Sequence, residues 1–497
     1  MLSKIQYKYK GEKEIMLLTL LSYLMVICFM AAIMTKKMSA FTALTTVPIV
    51  FAIIAVLTNT AVLHKPTGEN ADKNPTMKIL SSLYEDGDIP NTTHIKLNQL
   101  GTLIQNGIKD VALTGIMLLF AILFFSLMLD AGLFDPITKK MVHFAQGDPK
   151  KVLMAVAIVA AAVSLNGDGT TTTLICCTAF IPIFDKLNMK KMNLAVIVIL
   201  QNTIMNLLPW GGPTARAMSV MGVGGEILSY LLPGMILSVL FVILFVANRM
   251  GNQERKRLGI KKFTDKELDE LTTIDDEDVL AIRRPKNWGI NATLTIVLIA
   301  WLVSGSFFEA IAVPSAVLFM VGTALALLIN YPVLKDQSAR LGAGGAEAVQ
   351  VIILVFGAGV LMGLFNGTGM ADAMATSLTN IIPRSWGGAW GIIVALISAP
   401  GTFFISNDGF YYGLLPALAK VGTEYGFTNM QMALASLMGQ AFHLLSPLVA
   451  FVYLLLRLTG QDMGAWQKES AKYALGIFVI FLITLLATGF VPAYIAS

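Results

Sequence analysis

The chain alternates long apolar runs with polar connections. Seven of the runs are near or beyond the roughly 17–20 residues that a helix needs to span a bilayer. They cover residues 15–34, 40–63, 110–129, 227–248, 290–306, 312–331 and 473–494. With the shorter and interrupted apolar segments, this pattern predicts an all-α polytopic membrane protein with about ten spanning helices and two re-entrant hairpins.

The composition agrees with this prediction, because 56% of the residues are hydrophobic and only 13% are charged. A water-soluble fold could not hide so much apolar surface. The excess of positive charge indicates no nucleic-acid partner, because lysines and arginines of cytoplasmic loops account for it. We expect the lipid bilayer to surround the protein, as a multi-pass protein of the cell inner membrane.

The two largest polar connections set the predicted orientation. Residues 249–287 contain ten lysines and arginines, which mark them as a cytoplasmic linker loop. Residues 65–107 are acidic and are placed outside, and this path also puts the basic N-terminal tail outside. The linker divides the chain into a first repeat, 1–248, and a second repeat, 288–497, of opposite orientation.

Each repeat contains one predicted re-entrant hairpin. Residues 152–185 lie between basic turns and therefore enter and leave from the cytoplasm, whereas residues 387–422 enter from outside. The tips read NGDG at 166–169 and SNDG at 406–409, and a second polar break follows each tip about 40 residues later. Paired breaks of this kind are the inverted-repeat signature of secondary transporters.

The breaks predict a wet, protein-lined cavity near the membrane midplane. Glycine and proline free backbone groups, which a bilayer tolerates only where protein or water satisfies them. Helix N-termini at such a cavity favour anions, and free carbonyls favour cations. The candidate substrate-binding residues lie at these tips and breaks: Asn166, Gly167, Asp168, Gly169, Thr170, Gly211, Gly212, Pro213, Thr214, Arg216, Ser406, Asn407, Asp408, Gly409, Ser446 and Pro447.

Four side chains carry the candidate chemistry. Asp168, in a hydroxyl-rich tip, suits a hard metal cation, although it could instead cap the helix that starts beside it. Arg216 suits a carboxylate, with snorkelling or pairing with Glu226 as alternatives. Asp408 is a candidate for proton or metal binding. His443 is expected to be a hydrogen-bonded core residue, with a proton-relay role as the alternative.

Six strings along the chain resemble the bacterial metal–citrate:proton symporters, the CitMHS family. They are LDAGLFD at 129–135, NGDGT at 166–170, NLLPWGGPTAR at 206–216, NGTGM at 366–370, SNDGFY at 406–411 and HLLSPL at 443–448. The resemblance implies a homodimer with a scaffold and an elevator-type transport domain. It further implies that citrate is taken up as a complex with a divalent metal, together with protons, and that no cofactor is permanently bound. Asp168, Asp408 and His443 would then serve proton coupling, with Asp168 also at the metal.

The chain departs from this family at three places. Asn166 stands where the family usually has Asp, Gly409 stands where it usually has Ala, and residues 66–95 resemble an insertion. Two alternatives remain open: a sodium-coupled carrier of metal-free di- or tricarboxylates, and an intramembrane enzyme with an Asp168–Asp408 dyad. Nothing resembles the selectivity filter of a channel.

Overall fold

The structure is a computed structural model that describes residues 11–63, 93–261, 263–264, 267–268, 277–305, 308–381 and 383–495. Every regular element in these ranges is helical. Within them, eight helices are long and apolar enough to span a membrane. The predicted all-α polytopic fold is therefore confirmed. The N-terminal tail and residues 64–92 lie outside the described residues, and the side on which they lie remains a prediction.

The helices of the first half are α1 (Glu12–Met34), α2 (Ala40–Leu57), α3 (Thr93–Asp130), α4 (Asp135–Ala145), α5 (Pro149–Val163), α6 (Gly169–Leu187), α7 (Lys191–Met205), α8 (Gly212–Met221) and α9 (Ile227–Leu258, with a π-helical segment at Phe241–Ala247). A 3-10 turn, Ser164–Asn166, follows α5. Both arms of the predicted hairpin 152–185 are thus helices, α5 and α6, with the polar tip between them.

The linker contributes α10 (Glu277–Ile282) and a 3-10 turn at Pro285–Asn287. The helices of the second half are α11 (Trp288–Gly305), α12 (Ser315–Asn330), α13 (Leu334–Gly367), α14 (Met370–Ile381), α15 (Trp390–Phe404), α16 (Leu415–Glu424, preceded by a π-helical turn at Gly409–Leu414), α17 (Asn429–Leu437), α18 (Gln440–His443), α19 (Ala450–Thr459) and α20 (Met463–Ala487). Short helical turns also occur at Glu309–Ile311 and Arg384–Gly387.

The order of elements is the same in both halves. Each begins with two helices and continues with a long helix, a short one, a helical hairpin, a broken helix and a final long helix. The second half therefore has the elements that the two-repeat interpretation requires.

The helices α3 and α13 begin earlier than the apolar pattern predicts. The apolar pattern starts at residue 110 for one helix and at residue 348 for the other, yet the helices start at Thr93 and Leu334. Their first turns are polar, and hydropathy cannot detect a helix that continues beyond the apolar layer. Glu347, which directly precedes the apolar part of this second helix, is therefore well inside α13.

These two long helices form the centre of one helical group. They approach so closely that a Cβ atom at Gly107 would lie 2.0 Å from the carbonyl oxygen of Gly359. Small residues of this kind let helix backbones approach closely in membranes. The helix α2 packs on α13, and α12 packs on α3, so each half of the chain covers the long helix of the other.

The hairpins and broken helices form the second group, and here too the halves interlock. The helix α6, which leaves the first tip, packs against α19 of the second half. The π-helical turn at the second tip packs against α8 of the first half. A Cβ atom at Gly169 would lie 2.3 Å from the ring of Phe451 in α19, so only glycine fits this first contact. Each tip thus faces the second part of the other half's broken helix.

The linker is fastened at its beginning to the first hairpin. Arg255 forms an ion pair with Asp148, which precedes α5. Lys186, in the last turn of α6, lies 3.0 Å from the Glu267 carboxylate. The backbone N–H of Thr264 and the Lys186 ammonium lower the pKa of Glu267 from its ordinary value of 4.5 to about 2.

The end of the linker is fastened to the long helices. Arg283 donates to the carbonyl oxygens of Leu129 and Asp130 at the end of α3. Arg284 donates to the Asn330 carbonyl at the end of α12, with Nε 2.8 Å from the oxygen. The last carbonyls of a helix lack partners within it, so cations are favoured there.

Candidate functional site

The first tip is a turn between α5 and α6 built around Asp168. Gly167 has a φ of +81°, a left-handed conformation that lets the chain reverse. Asp168 is the N-cap of α6, and its carboxylate accepts from the backbone N–H groups of Thr170 (3.2 Å) and Thr171 (2.6 Å). The capping alternative is therefore confirmed. It leaves a role at a cation open, because carboxylate oxygens keep further lone pairs.

The broken helix of the first half holds this tip in place. Trp210 donates from Nε1 to the Leu165 carbonyl oxygen at 2.7 Å. The amide of Asn202 donates to the Ser164 hydroxyl at 3.3 Å, and the Asn166 side chain accepts from the Asp168 N–H at 2.8 Å. Asn166 thus fixes the backbone of the tip.

The break itself separates α7 from α8. Thr214 donates from its hydroxyl to the Leu207 carbonyl at 2.9 Å, which bridges the gap between the helices. No side chain caps the N-terminus of α8, where Gly211 is the N-cap, and Pro213 occupies the first turn. An uncapped helix N-terminus offers free N–H groups and a partial positive charge, the features that bind anions.

Arg216 joins the first break to the second tip. Its Nε donates to Asp408 Oδ1 at 2.6 Å, and its Nη1 donates to the Gly212 carbonyl at 2.8 Å. The two paired side chains are only 19% and 22% exposed. The predicted alternatives for Arg216 are wrong, because Glu226 accepts instead from the Gly224 N–H and the guanidinium does not snorkel outward.

The second tip is organised by an amide that the sequence analysis missed. Gln440 donates from Nε2 to Asn407 Oδ1 at 2.9 Å and to the Tyr411 hydroxyl at 3.0 Å. Ser406 accepts from the Gly409 N–H at 3.1 Å and starts the π-helical turn. Such turns occur frequently at functional sites. Tyr411 is fully buried, in agreement with a packing role.

The second break supports the end of α15. Ser446 donates from its hydroxyl to the Phe403 carbonyl at 2.6 Å, and the Pro447 carbonyl accepts from Tyr453. His443 is buried, with Nδ1 2.7 Å from the Thr402 carbonyl oxygen. This is the hydrogen-bonded core histidine that the sequence predicts, and its proton-relay alternative remains a prediction.

The candidate residues predicted from the sequence omit Gln201 and Gln440, although the sequence contains a signal for both. Both lie within apolar helical segments, where a polar side chain is costly and usually functional. Both are buried, and in the described part of the chain the Gln440 carbonyl oxygen and both polar atoms of Gln201 have no hydrogen-bond partner. Among the described residues no group of three or more His, Cys, Asp or Glu side chains could hold a metal.

The fold and this arrangement define a class of protein. Two helical hairpins, two broken helices and an ion pair that joins a break of one half to a tip of the other, within a polytopic bundle, are the elements of a secondary membrane transporter. The proposed Asp168–Asp408 dyad does not form, because Asp168 caps its own helix while Asp408 pairs with Arg216.

Comparison with known proteins gives the family. Residues 15–439 match the model of the CitMHS family, described as citrate transporter, and the chain belongs to this family. It is 38% identical to a citrate transporter of Bacillus subtilis over 96% of this chain and 100% of that one. It is 37% identical to the Mg²⁺/citrate complex secondary transporter of the same organism, over 95% and 98%. The protein is a transporter and not an enzyme.

Two solved structures share the fold at 14% identity. The Alcanivorax borkumensis YdaH transporter, of unusual topology, has a TM-score of 0.56 and matches 90% of this chain and 99% of its own. Neisseria gonorrhoeae MtrF, from a class of antimetabolite efflux pumps, has a TM-score of 0.57 and matches 90% and 94%. These similarities support the fold alone, whereas the multi-pass location in the inner membrane follows from the apolar spans and the family.

Proposed function

We propose that this transporter takes up citrate as a complex with a divalent metal ion, driven by proton symport. The observation that carries the proposal is the ion pair between Arg216 and Asp408, at the junction of one break with the opposite tip. Membership in the citrate transporter family supports the anion, and the relative named for the Mg²⁺/citrate complex supports the metal.

Arg216 supplies the recognition of the anion. A guanidinium binds a carboxylate through two parallel hydrogen bonds, and the uncapped N-terminus of α8 adds further donors nearby. In this structure, however, Asp408 already occupies the guanidinium. A substrate carboxylate therefore competes with Asp408 for Arg216.

Protonation of Asp408 resolves this competition. The neutral acid no longer holds Arg216, and the guanidinium is left without its partner at a net cost of about 1–2 kcal/mol for a pair that is still partly exposed. Citrate can supply the missing negative charge. Proton and anion therefore bind together, and loss of the proton on the cytoplasmic side re-forms the ion pair and releases the substrate.

The metal belongs to the cargo in this proposal. Citrate carries close to three negative charges, and a divalent cation leaves about one to be offset, which also eases desolvation. We infer that the Asp168 tip contacts the cation of the complex, since carboxylate and hydroxyl oxygens suit hard cations. The proposal requires no resident cofactor.

We also propose a homodimer, because the resemblance implies one. The mass of the purified protein in detergent would test it.

The test is uptake of labelled citrate into proteoliposomes containing the full chain. We expect accumulation that requires both an inward proton gradient and a divalent metal, with labelled metal and citrate entering in parallel. Each metal and each ion gradient is varied in turn. Accumulation that survives excess EDTA and requires Na⁺ would refute this proposal in favour of the sodium-coupled carrier of metal-free di- or tricarboxylates.

A further inference from the structure

A cavity of about 470 Å³ lies between the two helical groups. Its walls are formed by the beginning of α3, the end of α13, the end of α8 and the first residue of α17. The lining residues that matter here are Asn106, Asp110, Ser219, Asn366 and Asn429. The cavity thus has polar side chains from four helices among its apolar lining residues.

The cavity lies at the end of the molecule opposite the linker. Arg283 holds the far end of α3 at Asp130, and Arg284 holds the end of α12, whereas the cavity is lined by residues 103–111 in the other half of α3 and by the last turns of α13. Since a linker rich in arginine and lysine lies in the cytoplasm, the opposite end faces outward. The cavity therefore opens on the side from which substrate enters.

Ser219 connects this cavity to the candidate site. It lines the cavity, and its hydroxyl donates to the carbonyl oxygen of Arg216 at 2.8 Å. Arg216 lies nearly one helical turn further along α8, toward the break. Its guanidinium is directed back to Gly212, away from the cavity. The cavity thus ends one helical turn short of the ion pair.

Asp110 is the one charged residue among the described residues that line this cavity. It is exposed, and no ion pair involves it in the part of the chain that the structure describes. The neighbouring Lys109 does not line the cavity, since adjacent helical residues do not share a face. The entrance therefore carries an uncompensated negative charge, although the substrate is an anion.

We propose that this cavity is the outer vestibule of the transporter, and that Asp110 makes it selective for the metal–citrate complex over uncomplexed citrate. This inference rests on the proposed function. Free citrate carries about three negative charges and the complex about one, so Asp110 repels the free trianion more strongly. Free citrate carries two negative charges more than the complex. At roughly 8 Å from Asp110, with an effective dielectric constant of about 40, these two charges lower the occupancy of the cavity by free citrate about 30-fold relative to the complex. At a low ionic strength of about 0.02 M, where the Debye length is about 20 Å, salt screening reduces this to about 10-fold.

The vestibule amides suit the complex that Asp110 admits. Asn106 and Asn366 have side-chain N–H donors for its carboxylates, and the hydrated face of the metal can turn toward Asp110. Free citrate has no bound cation that could face Asp110. Recognition at Arg216 then acts on a population already enriched in the complex.

The test compares Mg²⁺–citrate uptake with its inhibition by tricarballylate, a tricarboxylate that chelates metals weakly. In proteoliposomes, Asp110→Asn should lower the inhibition constant of tricarballylate about 10-fold while changing the KM for Mg²⁺–citrate less than about 3-fold. The difference should shrink as ionic strength rises. Asp110→Glu should keep the wild-type constants, as should the matched control Lys109→Gln.

A second measurement does not depend on transport. In a Cys28→Ser background, which removes the exposed native thiol, Asn366→Cys is labelled from outside with cationic and anionic methanethiosulfonates. Asp110→Asn should lower the cation-to-anion rate ratio about 10-fold. An unchanged ratio, or unchanged tricarballylate inhibition with normal Mg²⁺–citrate uptake, would overturn the vestibule proposal alone. Wild-type preference for metal-free citrate would overturn both this inference and the proposed function.

Discussion

The substitution Asp408→Asn separates anion binding from proton coupling. It keeps the shape of the protonated acid and removes the charge that occupies Arg216. Charges about 4 Å apart attract by about 4 kcal/mol at an effective dielectric of about 20. Desolvation offsets much of this, and we expect a net of about 1–2 kcal/mol for a pair that is still partly exposed. Freed from this competitor, Arg216 should bind the substrate about 5- to 30-fold more tightly.

The assay compares two modes of transport in the same proteoliposomes. Exchange of internal for external citrate requires no net proton movement, so it should persist in Asp408→Asn with a lower KM and little dependence on pH. Accumulation driven by a proton gradient should be lost. Asp372→Asn is the matched control, because Asp372 also pairs with a cation, Lys420 at 2.7 Å, away from the site.

Two results would refute this reasoning. Wild-type accumulation in Asp408→Asn would mean that the proton is carried elsewhere, with Asp168 and His443 as the remaining candidates. Loss of exchange together with accumulation would mean that Asp408 contacts the substrate itself. The double variant with Arg216→Lys should show non-additive effects on KM, since the two side chains are in direct contact.

Further predictions follow from the same contacts. Arg216→Lys keeps the charge but loses the two-pronged hydrogen bonding, and should raise the KM about 10-fold; normal uptake by Arg216→Ala would remove it from the site. Asp168→Asn should alter metal preference in both exchange and accumulation, measured with labelled metals. Cysteines within 255–265 should be labelled only from the cytoplasm and those within 70–90 only from outside; labelling of both from one side would refute the topology. A carboxylate with a lowered pKa contributes its full stability at any pH above its ordinary pKa, and it loses this contribution only as the pH falls toward the lowered pKa. Glu267 is therefore ionised throughout the range from pH 5 to 8, and Glu267→Gln should leave the pH profile of uptake in that range unchanged.

The spanning helices and the polar tips were predictable because their signals are local. Apolar length identifies a helix that crosses a bilayer, and glycine with Asp or Asn identifies an interruption. The same local signals indicated helix capping as the alternative role of Asp168 and predicted His443 as a buried, hydrogen-bonded residue, and the structure shows both features.

Contacts between distant segments could not be predicted in this way. Arg216 and Asp408 are 192 residues apart, and nothing near either residue indicates the other as its partner. The pairing of Gln440 with Asn407 likewise depends on how α18 lies against the second tip. The starts of α3 and α13 were missed for a different reason, because a polar helical turn outside the apolar layer resembles a loop in composition.

The number of linker residues that connect the first hairpin with α10 depends on one ion pair. While Lys186 holds Glu267, only residues 268–276 connect the end of α6 with α10, and a fully extended chain of that length reaches roughly 30 Å. If that ion pair opens, the connecting segment begins after Leu258, and a fully extended chain of its length reaches roughly 60 Å. If the first hairpin moves relative to the long helices during transport, this exposed contact limits the distance it can cover. Progressive shortening of residues 269–276 would measure that distance, because transport should stop at the length at which the connecting segment is too short to span it.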